Sequence, residues 1–529
     1  MDLCSAGHRR GVVCAPHFAA VEVGRAVLAE GGNALEAMVA MAAAIAAVYP
    51  HMNHIGGDGF WLIREPSGRL RAIMAAGPAA AEAQPELYRD YETIPPRGPL
   101  AALTVPGAVG GWTLALEAAR AAGGILPLDA LLAPAIAYAH DGYEVSRSQA
   151  RLTAEQLSDL ERLPSFAGTF LVDGKAPAAG TLLKQEAFAA TLAHLGHAGL
   201  DDFYRGDVAR EVAVDLAAIG SPLTRQDLAR YEATVAEPLS VALPSATVYN
   251  TDAPTQGIVS LMILALFSKL GVSTAESFEH VHGLVEATKR ALRVRERVVT
   301  DPGRLAHALE RCLEPRFIAG EAMKIDRRKA ARWPLGPAES DTIWMGAADS
   351  SGLVVSYIQS LYWEFGSGCV LRRTGVLMQN RGASFSLTPG ALNLLAPGRL
   401  PFHTLNPALA TLKDGRIIAY GTMGGDGQPQ TQGALFTRYA LFNEPLAEAI
   451  DRPRWVLGRT WGRPLTRLRV ESRLDGNLID ALEAAGHDVD ILPEAYSDVM
   501  GHAGAVVLHP DGTLEGAHDP RADGGAAGV

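Results

Sequence analysis

Glu339-Ser340-Asp341-Thr342-Ile343-Trp344 marks the point where a basic, turn-rich stretch gives way to an apolar, strand-like run. A hydroxyl residue at the start of a strand is ordinarily structural. A cut immediately before Thr342 changes that: the hydroxyl becomes a nucleophile whose own terminal amine is the general base, a pairing that needs no histidine. A free α-amine has a pKa of about 7.7–8.0, close to the pH at which a general base works best. The cut can be self-catalysed, because a strained peptide lets the Thr342 hydroxyl attack the Asp341 carbonyl and form an ester that water hydrolyses. The expected cleavage point is therefore Asp341–Thr342, and the expected nucleophile is Thr342.

Upstream of this point, GEAMKIDRRKAARWP concentrates Lys324, Arg327, Arg328, Lys329 and Arg332 and reads as a solvated, flexible linker over about residues 320–341. Downstream, Thr342–Ile358, Leu371–Met378, Ala408–Leu412 and Ile417–Tyr420 are short strand-like runs between Asp, Ser and Gly turns. A helical stretch from Thr431 to Asn443 precedes strand-like runs at Arg467–Glu471 and Ala505–Leu508. In the first sixty residues, Asn33 can cap a helix that starts at Ala34 and ends near Pro50. A glycine-dense loop, His51 to Phe60, then leads into a hairpin, Phe60–Ile63 and Leu70–Met74, turning at Pro66-Ser67-Gly68. From Gly107 to about Arg290 the pattern is mainly helical.

A second glycine cluster, Tyr420-Gly421-Thr422-Met423-Gly424-Gly425-Asp426-Gly427-Gln428, follows a strand-like run. Adjacent glycines let two backbone amides turn towards one point, as an oxyanion hole requires. A phosphate loop would need a Walker or GxGxxG pattern, which is not matched. His51, His54 and His403 lack a metal-ligand spacing, so no metal is expected. Asp58 reads as a turn residue, and Trp344, Trp363 and Phe365 read as core.

The chain has 529 residues, 48% of them apolar, with mean hydropathy +0.08, ample for several packed units and against extended disorder. Its net charge of −11 repels phosphate backbones and anionic lipid, so neither nucleic acid nor membrane is an expected partner. Cys4, Cys14, Cys312 and Cys369 form no CxxC pair and no disulfide framework. The apolar run Ala34–Tyr49 is shorter than the roughly 20 residues that span a bilayer. The first residues lack a signal-peptide pattern, so a cytoplasmic location is expected.

Over nearly its whole length the chain resembles the γ-glutamyltranspeptidase family of N-terminal-nucleophile hydrolases. The resemblance rests on GVVCAPHFAAVEVGRAVLAEGGNALEAMVA with YPHMNHIGGDGF, on TVPGAVGGWTLALE, on the Thr342 region and on HDPRADGGAAG, in that order. It implies an α+β fold, a four-layer αββα sandwich. It further implies a proenzyme cleaved into Met1–Asp341 and Thr342–Val529, two subunits interleaved in one core. The family's nucleophile falls on Thr342, its second hydroxyl on Ser360 and its oxyanion glycines on Gly424 and Gly425. Asp349, Gly352, Phe365, Gly366 and Gly368 follow Thr342 without a gap. No cofactor is implied, and the partners implied are a small amide substrate and the chain's own two pieces as an αβ heterodimer, alone or paired.

The pocket departs from the family's pattern. The arginine that grips a γ-glutamyl α-carboxylate has no match in Ile73-Met74-Ala75-Ala76-Gly77-Pro78. The aspartate for the α-amine falls on Ser384, a paired serine motif on His403-Thr404, and an asparagine on Tyr362. Two charge-assisted contacts are thereby lost, each worth roughly 1.5–3 kcal/mol. Arg381, in the former pocket segment, can take a carboxylate with two N–H groups, while Tyr362 and Gln359 can narrow the site. The expected substrate is a small acidic amide. IQSLYWEFGSG, NRGASFSL, PFHTLNPALA and GTMGGDGQPQ are similar to the branch of the family that releases ammonia from oxamate. The alternatives are a γ-glutamyltransferase or glutathione hydrolase, or a glutaryl-type acylase, with an altered pocket, and an uncleaved, non-catalytic homologue.

Overall fold

Asn33 opens the most apolar helix, Ala34–Val48, by a reciprocal cap. Its side chain accepts from the Leu35 and Glu36 amides at 3.1 and 3.0 Å, and its own amide donates to Glu36 at 2.8 Å. Every residue of this helix is buried, because it is apolar on all sides and lies inside a layer of helices. The computed structural model describes residues 3–333, 341–458 and 466–529.

Among the described residues, two seven-stranded antiparallel sheets form the middle of the molecule. One runs Cys4–His8, Leu514–His518, Gly504–Leu508, Ile417–Gly421, Ala408–Leu412, Ala246–Asn250, Leu239–Ala242. The other runs Gly525–Gly528, Gly11–Ala15, Asp341–Asp349, Val354–Tyr362, Asp58–Arg64, Leu70–Ala75, Thr234–Ala236. Their facing sides meet through Val12, Phe60, Leu62, Trp344, Ile358, Leu409, Ala419 and Val506. Along Asp341–Asp349 the period of two is plain: Trp344 and Ala348 point between the sheets, while Ile343, Met345 and Ala347 point to the helices. Helices Phe18–Ala29, Ala34–Val48 and Ala108–Ala121 cover the second sheet; Gly257–Ser268, Phe278–Val298 and Gln428–Phe436 cover the first. This is the four-layer αββα arrangement. Both sheets mix strands from before and after residue 341, so neither half of the chain has a core of its own.

The hairpin turns where expected, with the Glu65 amide donating to the Arg69 carbonyl at 2.8 Å and Gly68 at φ +86°. Leu371–Met378, expected as a strand, makes only isolated bridges, Val370 with Leu377 and Gly56 with Met378. The tract from Gly107 to Arg290, expected to be helical, contains three strands between Thr234 and Asn250. The basic stretch leaves Lys324, Arg327, Arg328, Lys329 and Arg332 exposed, as expected, while its backbone is anchored along helix Phe278–Val298. The Asp326 carbonyl lies 2.8 Å from His282 Nε2, the Ala331 amide donates to Glu286 at 3.2 Å, and Lys289 Nζ donates to the Ala331 carbonyl at 2.8 Å. Its remainder, 334–340, lies outside the described residues. No described helix is long and apolar enough to cross a membrane.

Candidate active site

Thr342 is 1% exposed on the second strand position after the break in the described chain, and its place in the alternation puts it on the face between the sheets. The ladder to Val354–Tyr362 is regular from Ala348 back to Ile343, which pairs with Gln359; Asp341 then pairs with Tyr362. One extra residue on the second strand therefore stands opposite Thr342. Such bulges re-aim side chains. On the next strand Ser360 pairs with Asp58, so Thr342, Ser360 and Asp58 sit on three neighbouring strands. The loop before Asp58 must be glycine, since a Cβ on Gly57 would lie 2.1 Å from the Ser360 carbonyl oxygen.

Tyr362 leaves the strand at φ +88°, a left-handed conformation costly for a bulky residue, and its amide donates to Ser360 Oγ at 2.8 Å. That turn lays its ring under Arg381, whose guanidinium carbon is 3.9 Å from the ring centroid. Arg381, on the turn Arg381–Ser384, is 1% exposed. Its Nη1 reaches Thr404 Oγ1 in a long contact of 3.5 Å, while Nε and Nη2 have no partner among the described residues. Burial lowers its pKa to about 10, against the pull of Tyr362 and Asp58, and leaves it cationic at neutral pH.

The glycine cluster turns through Gly424 at φ +111° and Gly425 at φ +49°, conformations that a side chain would strain. Behind it, Gln256 Nε2 donates to the carbonyls of Gly425 at 2.8 Å and Thr404 at 2.7 Å, joining the turn to the segment beside Arg381. Arg295 donates to Gln256 Oε1 at 2.8 Å and pairs with buried Asp426. Gln256, Arg295 and Asp426 escaped sequence reading because three distant segments supply them.

The expected pocket residues divide. Arg381, Tyr362, His403 and Thr404 come together. Ser384 is tied by its hydroxyl to the Phe402 carbonyl at 3.0 Å. Gln359 does not belong: it points to the helix layer, where its amide oxygen accepts from Trp112 Nε1 at 3.2 Å and from Tyr357, and its nitrogen donates to Asn53 at 2.7 Å. One step from Ser360 on a strand reverses the face. Asp58, read as a turn residue, is also an unassigned neighbour of the site, with Oδ2 3.3 Å from His403 Nε2. A buried hydroxyl, two left-handed glycines and a cation with a free N–H edge are the parts that acyl transfer from a carboxylate-bearing amide calls for. The metal-compatible group among the described residues, His282, Glu286 and His487, is already engaged: Glu286 accepts from Lys289 at 2.7 Å, and the two imidazoles meet at 2.8 Å.

The gamma-glutamyltranspeptidase family model matches residues 20–529. The oxamate amidohydrolase proenzyme of Klebsiella pneumoniae is 51% identical over 519 residues, 98% of each chain. The glutathione hydrolase-like YwrD proenzyme of Bacillus subtilis is 38% identical over 521 residues, again 98% of each. Among solved structures, cephalosporin acylase from Bacillus halodurans superposes with a TM-score of 0.91 at 30% identity, covering 99% of this chain and 97% of that one.

Proposed function

The chain belongs to the gamma-glutamyltranspeptidase family of amide hydrolases, and from that premise we propose that it hydrolyses small carboxylate-bearing amides, taking oxamate to oxalate and ammonia through an acyl ester on Thr342. The chain is made whole and cut between Asp341 and Thr342 by the attack of the Thr342 hydroxyl on the Asp341 carbonyl. The pieces stay together as one αβ unit. In the mature enzyme the freed Thr342 amine takes the hydroxyl proton as the oxygen attacks the amide carbon. The Gly424 and Gly425 amides receive the developing oxyanion, with Ser360 orienting the nucleophile. The ammonium so formed then protonates the departing amide nitrogen, which leaves as ammonia, and the regenerated amine activates water to release oxalate.

The observation that carries the substrate choice is the free edge of Arg381. Nε and Nη2 lie on one side of the guanidinium, the side that grips a carboxylate by two parallel bonds, and both are buried without a partner among the described residues. A second reading, hydrolysis of a γ-glutamyl amide, draws on Asp58, whose carboxylate with Arg381 would match an α-amine and α-carboxylate pair. Ammonia release from oxamate, glutaramate and glutamine tests the two, with the Thr342→Ala variant as background. Oxamate turnover that vanishes in the variant is expected. Turnover of glutamine alone would contradict the oxamate reading and favour the second.

A further inference from the structure

Half of the Asp58 carboxylate does what a turn residue does. Oδ1 accepts from the Gly77 amide at 3.1 Å, the Gly107 amide at 3.0 Å and Gln379 Nε2 at 3.2 Å. Oδ2 shares none of these bonds. It is buried and lies 3.3 Å from Nε2 of His403, itself wholly buried. The two atoms face each other as an ion-pair contact at that distance, long for a hydrogen bond.

His403 is held by its backbone, its amide donating to the Pro254 carbonyl at 2.9 Å and its carbonyl accepting from the Gln256 amide at 2.9 Å. The Phe60 ring packs against it in a T-shaped contact, with centroids 4.9 Å apart. Burial, then the charge of Arg381, lowers its pKa to about 4 despite Asp58, so it is neutral at working pH. A neutral imidazole has one N–H and one lone pair, and the neighbour of one nitrogen decides which is which. A carboxylate at Nε2 puts the proton there and leaves Nδ1 as an acceptor. Nδ1 is buried and has no partner among the described residues. The neighbourhood of the Arg381 cation thus holds a hydrogen-bond acceptor for which the described residues supply no donor.

We propose that Asp58 is a positioning residue that keeps His403 as the substrate's hydrogen-bond acceptor, so that the pocket selects an amide presenting an N–H donor together with its carboxylate. The inference rests on the amide-hydrolase reading above. Oxamate carries both groups on adjacent carbons, its carboxylate for Arg381 and its amide N–H for Nδ1. An α-ammonium beside an α-carboxylate is the other source of the same chemistry, and the substrates of the test separate the two.

Asp58→Asn keeps an oxygen for Gly77, Gly107 and Gln379 but turns an NH2 towards Nε2, which moves the His403 proton to Nδ1 and makes the acceptor a donor. The readout is kcat/KM of the matured enzyme on oxamate and on monomethyl oxalate, which transfers the same oxalyl group but has no N–H. We expect the oxamate-to-ester ratio to fall by about ten- to a hundredfold, the range for partners that orient a functional imidazole, chiefly through KM. An equal loss on both substrates would overturn the proposal and make Asp58 structural only. Should the matured enzyme turn over glutamine and not oxamate, the oxamate reading fails separately. The variant is then read on glutamine against glutaramate, which lacks the α-ammonium: selective loss on glutamine keeps the acceptor, and equal loss overturns it. Independently of turnover, imidazole 15N shifts, assigned with His403→Gln, are expected to place the His403 proton on Nε2 in the parent and on Nδ1 in Asp58→Asn. A proton on Nδ1 in the parent overturns the proposal.

Discussion

Arg381 holds a positive charge inside the protein with Tyr362 beneath it and one long contact to Thr404. A buried charge without a full set of partners costs stability, and exchange for an apolar side chain of similar volume often returns about 1–4 kcal/mol. Arg381→Met is therefore expected to raise the melting temperature while cutting kcat/KM on oxamate at least about a hundredfold, the loss of two charge-assisted bonds. Thermal unfolding and kinetics on one preparation check it; a less stable Met variant would make Arg381 a structural residue. At this scale Thr342, Gly424 and Gly425 could be singled out because a hydroxyl at a strand start and a glycine pair are short local patterns, whereas Arg381 was reached through the family resemblance of its segment. Gln359 misled because adjacency in sequence was read as adjacency in the pocket, and a strand reverses face at every step. The Asp58–His403 pair was invisible because nothing in either segment points to the other.

The glycine turn, rather than the strand that precedes it, is the element whose position is imposed from outside. Helix Phe278–Val298 supplies Arg295, which pairs with Asp426 inside the turn and with Gln256, whose amide holds the Gly425 carbonyl. Arg295→Ala would remove the cation that pairs with buried Asp426, a loss of about 3–5 kcal/mol, and would loosen the turn, lowering kcat. Unchanged melting temperature and kcat in that variant would show that the turn is held by other means. Elements were legible where punctuation was strong, at the Asn33 cap and the Ser67-Gly68 turn, whereas Thr342–Ile358, expected as one strand-like run, is parts of two paired strands, Asp341–Asp349 and Val354–Tyr362. The edge strand Thr234–Ala236 is three residues long, too short to interrupt a helical pattern from sequence, and in Leu371–Met378 only Leu371 and Val376 to Met378 are apolar and buried while Arg372 and Arg373 are exposed, so the run makes isolated bridges instead of a ladder.

The whole molecule buries histidines that stay neutral. Burial lowers the pKa values of His17, His54 and His502 to about 3 and those of His403 and His518 to about 4. Unfolded, each would titrate near its ordinary value of about 6.5. Below that pH the unfolded chain binds more protons than the folded one, so stability falls as pH drops from about 6.5 towards 4. Thermal unfolding from pH 8 to 4 should show a melting temperature nearly level above pH 7 and falling steeply below 6; a level curve to pH 4 would contradict the buried, neutral assignment. The layered architecture could be expected from the chain's family resemblance. Which strands face each other could not, because strands covered on both sides read as continuous apolar runs. The mixing of strands from either side of residue 341 means that cutting there need not separate the halves. Intact mass of the purified chain beside its Thr342→Ala variant tests the central claim most directly. The account predicts two pieces, split immediately before Thr342, from the parent and one uncut chain from the variant; an uncut parent that still releases ammonia from oxamate, or a variant that splits at the same bond, would contradict it.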